Sequence, residues 1–230
     1  NIVVSGDVTL GASMGIAGTG LLVPNATGTL TSNGKIWTNG LNLRGATSTF
    51  TLADNWVVGG NLLIGAAAEV IVVNSLSFTI TTLGNFTTGT TATITGTAQI
   101  ILGGTGTWST TGAIRNDITI NTSGTITISG IIYYNTGTLT YVSGTVITTG
   151  STLNIGQLTA TTTINTGSVV WNQVTTGWNY SSTAQISTIN LTGDFIITNL
   201  FCAYSTTFVP LGGVLTILNN ISFGNIIDRK

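Results

Sequence analysis

The stretch Asn121–Gly156, NTSGTITISGIIYYNTGTLTYVSGTVITTGSTLNIG, carries no charged residue and returns a glycine every six or seven positions. The glycines are Gly124, Gly130, Gly137, Gly144, Gly150 and Gly156. Between them the chain alternates, as in Thr125-Ile126-Thr127-Ile128-Ser129. In a strand that alternation puts isoleucine on one face and threonine on the other. Glycines three apart in the series are separated by about 20 residues: Gly124 from Gly144, Gly130 from Gly150, Gly137 from Gly156. Three short strands and three turns make a coil of that length, and stacked coils form a solenoid.

The same texture extends outward. GDVTLG (6–11), TSTFTLA (47–53), LSFTIT (76–81), Ala92-Thr93-Ile94-Thr95 and Ile118-Thr119-Ile120-Asn121 all read as short strands bounded by turn residues. No amphipathic helix of useful length is present. The spacing predicts an all-β, parallel, right-handed β-helix-like solenoid with coils of about 20 residues. The alternative is a β-sandwich or mixed β arrangement. Three regions are expected: an amino-terminal lead-in or cap at 1–31, a solenoid body at 32–170, and an aromatic-rich carboxyl-terminal part at 171–230. That last part would serve as cap or oligomer interface.

Composition agrees with many strands and turns. Threonine is about a fifth of the 230 residues, and there are 31 glycines but only 2 prolines. Charged residues are 5%, against about 25% in ordinary globular domains. The net charge of −1 offers no electrostatic attraction to nucleic acid or anionic lipid. A charge-poor surface favours association, so copies of the chain or partner chains are expected to cover part of it. Apolar runs such as Val70–Val73 are far too short to span a bilayer, and no signal peptide is visible. Cys202 is the only cysteine, so no intrachain disulfide forms; among apolar neighbours a buried, inert thiol is expected.

The residues that carry most enzyme chemistry are scarce. There is no histidine, so neither a Ser-His-Asp triad nor a histidine metal site is expected. The carboxylates are Asp7, Asp54, Glu69, Asp117, Asp194 and Asp228. Glycan cleavage needs two close together, and none are two apart or one coil apart. Asp54 and Glu69 come nearest. Asp54 is expected to bond its own turn. GGTGTW (103–108) lacks the lysine ending of a phosphate loop and the aspartates of a calcium β-roll. No catalytic, cofactor-binding or metal-binding residue is therefore expected. The candidates for surface or glycan contact are Trp171, Trp178 and Tyr180. Thr-x-Thr pairs occur at 29/31, 49/51, 93/95, 125/127, 138/140 and 161/163. An ice-binding face needs such a pair once per coil at constant phase, and this spacing is irregular.

The segment Leu30–Gly65 contains LTSNGK-W (30–37), TFTLADNW (49–56) and GNLLIG (60–65). These elements resemble a repetitive family of virion structural proteins from tailed bacteriophages, common among environmental and marine viruses. The resemblance implies a non-enzymatic, β-rich, multimeric part of the particle, such as a tail fibre, spike or capsid-decorating protein. It implies a homo-oligomer, taken as a trimer, other virion proteins as partners, and contact with host-surface glycan. Asn33-Gly34 within it is a tight-turn signal, and Trp37 and Trp56, about one coil apart, are positioned to stack. A bacterial extracellular adhesin or self-assembling filament, and an ice-binding solenoid, are the alternatives.

Overall fold

The computed structural model describes residues 1–11, 13, 19–66, 69–89, 91–97, 99–156, 161–177, 187–203 and 206–224. Among these are 26 strands and no helix. Every strand pair is parallel, and the strands wind into a β-solenoid of about nine turns with a repeat near 21 residues. The step from coil to coil is not constant. It is shortest where Ile100 pairs with Ile118 and longest where Ile164 pairs with Leu191. The ladder passes without interruption through positions 31/32 and 170/171, since Gly28–Thr31 pairs with Thr47–Leu52 and Val170–Thr176 pairs with Phe195–Cys202.

Each coil has three faces. The first begins with Ile2–Val4, Leu22–Pro24, Leu41–Leu43, Leu62–Ile64, Phe86–Thr88 and Gly106–Thr110. The second begins with Val8–Thr9, Gly28–Thr31, Thr47–Leu52, Val70–Asn74 and Thr93–Thr95. It resumes as a separate sheet of six strands from Ala113–Ile114 to Leu215–Phe223. The third runs from Ile36–Trp37 through Trp56–Val58, Ile80–Thr82 and Gln99–Leu102, and onward to Thr206–Pro210. Two long strands, Asp117–Ile128 and Gly137–Ile147, turn the corner from the third face to the first without breaking.

The six glycines of the opening stretch are the three corners of two successive coils. Gly124 and Gly144 lie at the bend inside those long strands. Gly130 and Gly150 stand between the first and second faces, Gly137 opens the third-face strand, and Gly156 follows the second-face strand one coil on. Gly144, at φ +110°, adopts a conformation that residues with a Cβ disfavour. Gly124 is needed for space, since a Cβ there would lie 2.0 Å from Thr105 Oγ1.

Inward residues stack in columns along the axis. The third-face column is Trp56, Ile80, Ile100, Ile118, Leu139, Ile164 and Leu191. All are buried. The first-face column is Leu22, Leu41, Leu62, Phe86 and Trp108. On the second face Ile132, Leu153, Val174 and Leu200 do the same. Each such side chain contributes about 1.5–3 kcal/mol by leaving water. Trp37 does not stack on Trp56. Its cross-coil partner is Val58, so the two indoles occupy different columns two residues apart along the strand. Both are buried and bonded to carbonyls, Trp37 Nε1 donating to Gly40 O at 3.0 Å and Trp56 Nε1 to Leu30 O at 3.2 Å.

Candidate functional site

The described carboxylates are bound to the backbone of neighbouring coils or corners. Asp7 Oδ1 accepts Thr29 N–H at 2.7 Å, Asp117 Oδ1 accepts Thr138 N–H at 2.8 Å, and Asp194 Oδ1 accepts Val214 N–H at 3.2 Å. Asp54 accepts the N–H groups of Ser32 at 2.8 Å and Asn33 at 2.6 Å. It thus serves the turn of the preceding coil, where its own turn was expected. Asn33 and Gly34 form that turn, both at positive φ, closed by Lys35 N donating to Ser32 O at 3.0 Å. Asparagines play the same part: Asn61 Oδ1 accepts Asn85 N–H at 3.0 Å, and Asn85 Oδ1 accepts Thr107 N–H at 2.8 Å. A corner N–H points along the axis with no strand partner, and a short side-chain oxygen on the adjacent coil fills the place.

Glu69 differs. Its carboxylate accepts Arg44 Nε at 2.8 Å on each oxygen and Ala66 N–H at 2.8 Å. Burial pushes its carboxyl up, but the Ala66 N–H and the Arg44 guanidinium outweigh that and hold it below 4.5. Asp54 and Glu69, the nearest pair in sequence, sit at different corners, one before the third face and one before the second. Among the described residues no three His, Cys, Asp or Glu side chains converge as a metal-ligand set. Asp228 lies outside the described residues.

Trp171, one of the three expected surface-contact aromatics, is instead in the core. It is 1% exposed, pairs with Ile197, and donates Nε1–H to Thr166 Oγ1 at 3.3 Å. The strand Val170–Thr176 turns Val170 outward and Trp171 inward, so no face of the indole can meet a ligand at the surface. Trp178 and Tyr180 lie outside the described residues. Cys202 is partly buried rather than enclosed.

The Thr-x-Thr pairs distribute over all three faces, which explains their irregular spacing. Pairs 29/31, 49/51 and 93/95 lie on the second face, 125/127 on the first, and 138/140 and 161/163 on the third. On the second face Thr49 and Thr51 are followed one coil on by Val72 and Asn74 before Thr93 and Thr95 return.

The broadest apolar exposure is at the carboxyl-terminal coil. Leu211, Val214, Leu218, Ile221 and Phe223 are each more than half exposed. Ile221 and Phe223 stand in line with the inward residues Leu200 and Cys202 of the coil below. They are core-type positions with no described coil above them.

No family model, curated protein or solved structure matches this chain.

Proposed function

We propose that the protein is a non-enzymatic structural component of a tailed-phage particle, a fibre, spike or surface element assembled as a homo-trimer. The fold is compatible with a fibre-like or adhesin-like role. The observation that carries the reading is the pattern of corner bonds. The described aspartates, like Asn61 and Asn85, tie one coil to the next, so their scarce charge serves axial stiffness. The exposed apolar carboxyl-terminal coil supports association with copies of the chain or with other virion proteins. Mass spectrometry of purified particles from the source tests this: the chain should co-purify with capsid and tail proteins. Finding it with a secretion system on cell surfaces would favour the adhesin reading instead.

A further inference from the structure

Buried threonines such as Thr82, Thr122, Thr148 and Thr162 each donate their hydroxyl to a backbone carbonyl of a neighbouring coil. Two stacked threonines do not. The hydroxyls of Thr88 and Thr110, residues only 4% and 6% exposed, have no hydrogen-bond partner among the described residues. Trp108, fully buried, holds its indole N–H in the same state. A buried polar group without a partner costs free energy, and three of them in two adjacent coils point to one cause.

All three side chains point into the coil. Burial alternates along Phe86–Thr88 and Gly106–Thr110, with Phe86, Thr88, Trp108 and Thr110 on the inner side. Thr88 pairs with Thr110 across the coils, so the two stand about 4.8 Å apart. Two hydrogen bonds of about 2.8 Å meeting at one oxygen cover a similar distance. Their outward neighbours in the same coils, Thr87 and Ser109, bond each other at 3.1 Å; the inward pair does not. Thr88 O is already taken, since it accepts both the N–H and the hydroxyl of Thr111 at 3.1 Å each. The column also loses volume here. It runs Leu43, Ile64, Thr88, Thr110, and the corresponding place one coil on, two residues past Ile128, is Gly130. Trp108 lies two residues before Thr110, about 6.6 Å along the strand, a span that an indole covers.

We propose that this part of the interior is a water site. An ordered water bridges Thr88 Oγ1 and Thr110 Oγ1 and accepts the Trp108 N–H as its third bond. Buried waters typically make about three hydrogen bonds, which matches the groups present. Hydroxyls donate or accept and an indole only donates, so a molecule that does both satisfies all three. No charged side chain is buried among the described residues, so an ion would lie there unpaired. The inference rests on the interior alone and does not depend on the particle assignment.

The full chain is compared with Thr88→Val/Thr110→Val, which keeps the side-chain shape and removes both hydroxyls. Crystallography at near-atomic resolution locates the water, and oxygen-17 relaxation dispersion counts waters held inside the protein. The parent should show an oxygen at about 2.7–3.2 Å from both hydroxyls. The dispersion amplitude should fall by about one water in the double variant, with the circular dichroism unchanged. Thr87→Val, which removes an outward hydroxyl of the same strand, should leave the amplitude as it is. If the double variant fails to fold, the crystal structure of the parent decides alone. Thr88 and Thr110 hydroxyls bonded directly to each other or to a carbonyl, a dry space between them, or equal amplitudes in the parent and the double variant would each overturn the proposal.

Discussion

The carboxylate of Asp54 reaches back one coil and accepts both Asn33 N–H, at 2.6 Å, and Ser32 N–H, at 2.8 Å. The tight turn at Asn33-Gly34 bends the chain through positive φ at both residues, which leaves its N–H groups pointing along the axis rather than across a strand. Asp54→Ala should leave two donors unmet at a cost of about 1–3 kcal/mol. Asp54→Asn, with one acceptor oxygen, should recover part of it. The measurement is amide exchange: protection at Ser32 and Asn33 should fall about tenfold or more in Asp54→Ala, with little change at coils several turns away. A loss spread evenly over the chain would contradict a local role.

Tyr134 gives the fold an alkaline limit. Its ring is fully buried and its hydroxyl donates to Asn116 O at 3.0 Å. Burial, followed by the negative charge of Asp117, raises the phenol well above 10. A folded-state pKa above the unfolded one gives stability that is complete below the unfolded value, about 10. It is lost as pH rises toward the folded value. Stability measured by denaturant at pH 8 to 12 should therefore decline above about pH 10. Tyr134→Phe should begin lower for loss of the hydrogen bond to Asn116 O, by about 0.5–1.5 kcal/mol, yet show a flatter decline.

The acid limb should report Glu69. Its folded-state carboxyl lies below the ordinary value of 4.5, so its contribution is present above that value and disappears as pH falls through the lowered one. Arg44 is 38% exposed, so salt screening should shrink the effect. Glu69→Gln should flatten the stability profile below pH 4.5 and lose its salt dependence there. An NMR titration of the Glu69 side chain gives the pKa directly. A value at or above 4.5 would contradict the geometry.

The fold was legible because two periods were visible at once. Alternation marked the strands, and glycines such as Gly124 and Gly144 marked corners one coil apart. The coil length was legible only as an average. Insertions at corners stretch it from the short step between Ile100 and Ile118 to the long one between Ile164 and Leu191, without disturbing the columns. The threonine pairs looked irregular because sequence spacing cannot tell one face of a three-sided coil from another. Trp171 was misread for a related reason. Val170 and Trp171 are both apolar, so alternation left the phase of that strand open, and density of aromatics suggested a surface. Asn172 beyond it held the signal that Trp171 points inward.

The carboxyl-terminal coil tests association. Ile221 continues the column of Leu200, and Phe223 that of Cys202, yet they are 52% and 64% exposed. Side chains in core positions gain about 25 cal/mol for each Å² of apolar surface covered, so a second chain that covers these two gains that burial. Ile221→Asp combined with Phe223→Asp should oppose this by placing two charges where desolvation is costly. Both residues lie on the last described strand, so the coils below should keep their pairing and the circular dichroism should remain that of the parent. In sedimentation velocity the parent should run as an oligomer and the double variant as a single chain of 23.6 kDa. A parent that already sediments as a monomer at high concentration would count against self-assembly. A variant that stays oligomeric would move the contact to another face.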